Sequence, residues 1–585
     1  MKKIFFLLSM FFAFGVSTQA VPVRPGMKKV LTLADGTAVT AELKGDEYMS
    51  WWETTDGAKY VQSTANEKTF VAANLNTMKA QSAERRAVIN AARAKRMASA
   101  LVPTKSTLGG DHITYSGKKK GIIVLVNFTD SKFADGHDKE YYEKVMNTPN
   151  FTSDEGYVGS VRDYFYAQSN GTFELDFDVF GPIELAHAYA WYGKDNSSSD
   201  RDVRVGKMIK EAVEGADAAG ANWKDYDWDG DGECDQVFVL YAGLGQASGG
   251  DDNTIWPHEY KMSACAELNR KSVTTASGII VDTYACSNEQ QPVLESGQFT
   301  NNYQPAGIGT ICHEFSHCLG FPDTYDTSSQ GNYAMGTWDP MATGSYNGTN
   351  SNGMCPANFT AWERIYAGWV EPIELDKSAT IKSMASSANY GRPFIIYNDA
   401  NENEYYLLEN RQKSGWDASL YGEGLLISHI DYDATAWASN IVNYYSDHQR
   451  MTIFHADNED ASTYTSSIEA DPYPYKAGNR IFNDKLTDES EPAATLFNNN
   501  ADGRKYMGKP ITTIRSRTDG TVSFAFMGGD SDNVIDNSTT GIGSVTVSGT
   551  VNHDGVYAID GRYLGSSLAP LGKGIYIVGG KKVVK

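Results

Sequence analysis

An α+β fold that runs into β-rich modules is predicted by three features of this 585-residue sequence. Strand and helix patterns interleave between about residues 111 and 375, strands alone follow over 376–530, and small hairpin-forming segments lie towards both ends. The length exceeds what one hydrophobic core fills, and units of roughly 100–200 residues give three or four of them.

The chain opens with Lys2 and Lys3, an apolar run from Ile4 to Val16 and small polar residues up to Ala20. That pattern predicts a secretory signal peptide over 1–20, cut after Ala20, since the run is too short for a permanent membrane anchor. No later stretch reaches about 18 apolar residues, so a secreted or cell-surface protein with no permanent membrane span is expected.

Residues 21–78 alternate in short stretches broken by Asp35-Gly36 and Asp56-Gly57. Such dipeptides favour tight hairpins, which predicts a small β unit. From Met78 to Met97 the composition turns to Ala, Arg and Lys without Gly or Pro, predicting an exposed basic helix. With Lys118, Lys119 and Lys120 beyond it, the region offers many sites to a trypsin-like protease. It is either the release point of a removable N-terminal piece or an interdomain linker.

Between 111 and 375 the elements follow in order. The run GIIVLVNFTD is a buried strand and SVRDYFYAQSNG a helix. An alternating strand, GTFELDFDVFG, precedes the helix DVRVGKMIKEAVEGA, and CDQVFVLYAG is a second buried strand. Past 375, RPFIIYND, EYYLLENRQ, GEGLLISHID and RMTIFHA read as strands. The polar stretch near 527–545 reads as a linker, so residues 531–585 combine linker and a terminal β segment.

The formal charge of −22, from 73 acidic and 51 basic side chains, would repel a phosphate backbone and excludes nucleic acid as an expected partner. Six cysteines are too few to define the fold of an exported chain this long. Cys265 with Cys286 and Cys318 with Cys355 are candidate bridges, and buried free thiols are the alternative.

The chemistry concentrates in CHEFSHCLGFPD, residues 312–323. A helix over about 307–319, ended by Gly320, puts His313 and His317 one turn apart on one face, where two imidazoles can take adjacent corners of a zinc tetrahedron. Glu314 sits beside them as a general base for the water at the metal. Gly320 lets the chain turn back so that Asp323 supplies a third ligand, leaving an open corner as catalytic sites do. A polar face of a surface helix is the competing reading; the flanking Ile311, Phe315 and Leu319 argue for a partly buried element.

A second cation site, for calcium, is expected at Asp227, Asp229, Asp231 and Asp235, alternate carboxylates with Gly230 and Gly232 for a tight loop. An EF-hand frame begun at Asp225 fails at Gln236, and a solvated acidic turn is the alternative. His258 and His429 read as hydrogen-bonded core residues.

The segment HEFSHCLGFPDTYD resembles the metal-binding motif of the M6 family of secreted bacterial metalloproteases, the immune inhibitor A type, within the metzincin-like group. Further similarity lies in GTWDPMATGSYNG, in DWDGDGECDQVFVLYAGLG, in IWPH at 255–258, in EYYLLENRQKSGWD with GEGLLISHID, and in the N-terminal LADGTAVTAELKGDEYMSWWETTDG. The resemblance implies a zymogen: a propeptide and basic linker over 21–110, a metzincin-like zinc protease domain over 111–375 and a β-rich accessory domain over 376–530. It also implies that Met341 lies beneath the metal. The final segment is similar to sorting tails of the type IX secretion system; the last hairpins of an accessory domain are the alternative.

Together these features predict a secreted zinc endopeptidase acting on protein or peptide substrates after cleavage by an activating protease. A peptidase confined to small peptides is a narrower version. A catalytically idle adhesin or glycan-binding protein on the same scaffold is the reading from another class.

Overall fold

A computed structural model describes residues 20–63, 65–66, 68–82, 115–195, 201–295, 298–328, 331–459, 465–478, 480–538, 556–558, 563–565, 575–578 and 581–584. Residues 1–19 of the expected signal peptide and 83–97 of the expected basic helix lie outside the described residues. Two compact units divide at Thr539 and Thr540.

In the first unit, five antiparallel strands form the N-terminal sheet: Lys28–Thr32, Ala38–Gly45, Ser50–Thr54, Lys59–Gln62 and Phe70–Ala72. Asp35-Gly36 and Asp56-Gly57 turn the first and third hairpins, the glycines holding φ of +87° and +85°. One face of this sheet buries Leu31, Leu43, Trp52 and Phe70 in a cluster shared with Ala247, Trp256 and Tyr346, far along the chain.

The central sheet has the order Gln298–Pro305, Thr283–Glu295, Val237–Leu244, Gly117–Asn127, Phe173–Glu184. The last four strands run parallel, and the first is antiparallel to its neighbour. Its inner strands are buried on both faces, which is why they read as continuous apolar runs. Ile122, Val124 and Val126 pack under helix Val205–Ala218. Ile123 and Leu125 face the opposite cluster, with helices Lys139–Asn147, Val161–Gln168 and Ile308–Ser316.

Downstream, one sheet orders Ile373–Glu374, Phe394–Asn398, Asn401–Arg411, Gly424–Asp431 and Met451–Ile453. A second orders Ile511–Ser516, Val522–Phe526, Ala379–Met384 and Val534–Asn537. The boundary expected at 375 is not a break in the core. Leu426, Ile430 and Trp437 belong to the same buried cluster as Phe315 and Met341, because the downstream sheet lays its apolar face on the segment around helix Ile308–Ser316.

One more expectation is corrected. The linker placed from 531 instead contributes the parallel strand Val534–Asn537, whose polar composition hid it; Asn533 and Asn537 tie it down through Ser378 O and Arg392 O. All six cysteines are buried and unbridged, as the free-thiol alternative has it, and neither candidate bridge is present. The second unit, 540–585, is described by its own four-stranded sheet, ordered Tyr563–Gly565, Val556–Ala558, Ile575–Val578, Lys581–Val584. Among the described residues no helix is long and apolar enough to cross a membrane.

Candidate metal centre

Helix Ile308–Ser316 is buried along its whole length, and a 3-10 turn, His317–Leu319, extends it. Its entry needs Gly309, since a Cβ there would stand 1.7 Å from Ser345 O. Its exit needs Gly320, at φ +89° with Tyr366 Oη 2.7 Å from where a Cβ would be. The chain then folds back, and Asp323 returns to the face that carries both histidines.

There three atoms converge. Asp323 Oδ1 lies 3.1 Å from His313 Nε2 and 3.5 Å from His317 Nε2, and the two rings stand 4.8 Å apart at 88°. Donors about 2.0–2.1 Å from a tetrahedral zinc are themselves about 3.3 Å apart, so the spacing fits that ion. His313 Nε2 and Asp323 Oδ1 are buried without a hydrogen-bond partner, which is costly unless something cationic sits between them.

The opposite nitrogen of each ring is accounted for. His313 Nδ1 lies 2.7 Å from Pro340 O and His317 Nδ1 2.8 Å from Phe321 O. A carbonyl can only accept, so Nδ1 carries a proton in both rings and Nε2 is the nitrogen each ring turns inward, the one left to bind a metal. Thr324 and Asp339 fix the next residue, Met341: the Thr324 N–H donates to Met341 O at 2.9 Å, and Asp339 Oδ1 accepts from the Met341 N–H. One turn, 339–341, thus steadies the first histidine and the residue following Asp323.

Asp323 is held from far away. Its N–H donates to Asn440 Oδ1 at 2.8 Å, and the Asn440 amide donates back to Asp323 Oδ2. Burial works against the charged form of Asp323, but His317, His313 and Asn440 keep it below the usual carboxylate range. Asn440 was not anticipated; nothing local marks it, 117 positions downstream.

Glu314 stands at the edge of the cluster, its Oε2 3.9 Å from His317 Nε2. Burial, then the neighbouring Asp323, pushes its carboxyl well above the ordinary range. Its Oε1 accepts the Val21 N–H at 2.8 Å. The segment Ala20–Arg24 lies across the site: Tyr325 Oη donates to Ala20 O at 2.8 Å, Trp256 Nε1 to Val21 O at 2.9 Å and Tyr346 Oη to Pro22 O at 2.8 Å.

The other predicted residues fall out differently. Carboxylate oxygens of Asp227, Asp229 and Asp231 lie within 4.8 Å of one another, but Asp235 is not in that group; its Oδ2 accepts the Trp228 N–H. Asp227 already accepts from the N–H groups of Gly230, Asp231 and Gly232. His258 bonds Trp256 O and Tyr284 Oη, and His429 bonds Glu404.

Residues 114–369 match the sequence profile of the immune inhibitor A peptidase M6 catalytic domain. The chain is 25% identical over 298 residues to "Immune inhibitor A" of Bacillus thuringiensis subsp. alesti, covering 44% of this chain and 42% of that protein. It is 25% identical over 326 residues to "Pre-pro-metalloprotease PrtV" of Vibrio cholerae serotype O1 (strain M66-2), covering 47% and 34%. The chain thus spans less than half the length of these relatives. The profile match falls on the segment that carries the two histidines, the glutamate and the aspartate, so it is residues 114–369 of this chain that are similar to the M6 peptidase catalytic domain.

Proposed function

We propose that this chain is an exported zinc endopeptidase made in a latent form. The observation that carries the reading is the meeting of His313 Nε2, His317 Nε2 and Asp323 Oδ1 in one buried space with Glu314 beside it. Zinc held there would supply a Lewis acid that acidifies water and polarises a carbonyl. Glu314 takes the proton from the attacking water and hands it to the leaving amine, one carboxylate serving both halves of the reaction. Pro340 O and Phe321 O hold the imidazoles in one tautomer, and Asn440 fixes the carboxylate of Asp323.

Latency, in this reading, comes from the segment Ala20–Arg24, which covers the site and engages Glu314 through the Val21 nitrogen. A signal-peptide cut after Ala20 would make that nitrogen the new chain terminus. Cleavage in the basic stretch over 83–97 by an activating protease would let the N-terminal sheet leave. Calcium at Asp227, Asp229 and Asp231 would pin the neighbouring loop, and the terminal four-stranded unit would serve sorting.

The test is Glu314→Gln in the processed protein. Zinc content should stay at one per chain while casein cleavage falls by about 10³-fold. Retained cleavage would refute the role of Glu314. Chelator-resistant activity would refute the metal, and absence of any cleavage by metal-loaded wild-type protein would favour the idle-scaffold alternative.

A further inference from the structure

Arg24 is fully buried, although it belongs to the segment that covers the site. Its Nε donates to Ser351 O at 2.8 Å, Nη1 to Pro292 O at 2.9 Å and Nη2 to Asn350 O at 3.2 Å, while its guanidinium carbon stands 4.6 Å from the centre of the Phe299 ring. Each hydrogen bond of the guanidinium ends on a backbone carbonyl, and the ring face supplies a cation–π contact. All four partners lie within 114–369, so the pocket stays behind when the N-terminal segment leaves.

The pocket is built rather than incidental. Asn350 and Ser351 both hold left-handed backbone, at φ +57° and +54°, a conformation that L side chains rarely adopt. The Asn350 amide donates to Leu294 O at 3.2 Å, fastening this loop to the strand that carries Pro292. Two adjacent carbonyls are thereby aimed at one cation.

The direction of the segment tells which substrate residue would arrive there. Val21 N sits on Glu314, where a leaving amine would receive its proton. Val21, Pro22, Val23 and Arg24 then occupy the places of the first four residues after the cut bond. Trp256 and Tyr346 bond the carbonyls of the first two, and the Arg24 N–H donates to Ala247 O at 3.1 Å, contacts that any sequence can make. Only the fourth place reads a side chain by charge.

We infer that this pocket, lined by the Pro292, Asn350 and Ser351 carbonyls and Phe299, is a substrate subsite selecting arginine at the fourth position after the scissile bond. The inference rests on the endopeptidase reading above. Three carbonyls around a planar fork meet three separate N–H groups of arginine; a lysine ammonium at one point cannot reach them all, so arginine is preferred to lysine as well as to neutral residues.

The test uses the secreted protein after its N-terminal segment has been cut away. Peptides in which one common leader precedes Val-Pro-Val-Xaa-Pro, with Xaa as Arg, Lys or Ala, are compared by kcat/KM. Arginine should exceed both others by at least about tenfold, and Phe299→Ala should shrink the preference. Equal rates would overturn the inference, even where Phe299→Ala fails to fold, since the peptide series needs no variant. Binding of the free pentapeptides Val-Pro-Val-Arg-Pro and Val-Pro-Val-Ala-Pro, read by calorimetry, separates the two claims. Arginine-selective binding without cleavage would sink the endopeptidase reading and leave the subsite standing; equal binding, meaning an anchor used by the N-terminal segment alone, would sink the subsite whatever the enzyme cleaves.

Discussion

Two buried groups of histidines and acids, one around residues 313–323 and one in the downstream sheet, are built from the same side chains and differ in where those side chains are aimed. In the downstream sheet Glu404 is saturated: it accepts from His429 Nε2, the Asn398 amide and the N–H groups of Phe497 and Asn498. His448 has Asp431, and His455 has Asp471, at 2.7 and 2.6 Å. At the metal centre the imidazole hydrogen bonds lie behind the rings, and His313 Nε2 and Asp323 Oδ1 are turned inward, buried and without a hydrogen-bond partner. Satisfied pairs hold a fold together, whereas converging unsatisfied atoms need a guest.

Four experiments test that contrast. The largest effect should come from His317→Ala, with loss of both bound zinc and all proteolysis, checked by metal analysis. Full zinc occupancy in that variant would contradict its assignment as a ligand. Next, Asn440→Ala should weaken zinc binding by about 10–100-fold, as loss of an outer partner does, read by competition with a chromogenic chelator. An unchanged affinity would make Asn440 a purely structural contact.

His429→Ala should leave zinc stoichiometry untouched and lower unfolding stability by about 1–3 kcal/mol, because Glu404 loses a buried donor. Metal loss in this variant would erase the distinction between the two groups. The smallest effect is a pH slope. Burial opposes the Glu404 charge, but His429, the Phe497 N–H and the Asn398 amide hold its carboxyl below the ordinary range. With a folded value beneath the unfolded one of about 4.3, its contribution is complete above that pH and is lost as pH falls through the folded value. Glu404→Gln should flatten this acid limb of a denaturation series; an unaltered limb would assign it to other carboxylates.

The parts legible in the sequence were those fixed by local rules. The helix carrying His313 and His317, its end at Gly320 and the Asp-Gly hairpins follow from spacing and backbone preference within a few residues. What escaped was set by long-range contact. Asn440 reaches Asp323 across 117 positions, and Arg24 meets Ser351 across 327. The strand Val534–Asn537 was missed because an edge position tolerates polar residues, which removes the alternation that marks a half-buried strand.

The reach of Asn440 has an implication for how this protein can be divided. Asn443 donates to Thr324 O at 2.7 Å, Arg411 to Trp338 O at 2.9 Å, and Trp338 Nε1 to Asp471 at 2.9 Å, so several downstream residues brace the loops around the cluster. A gene fragment stopping near residue 375 would encode His313, His317 and Asp323 and still lack the scaffolding that keeps them in place. The candidate metal centre is therefore not a portable cassette, and the β-rich portion is as much a part of it as the helix that bears the histidines.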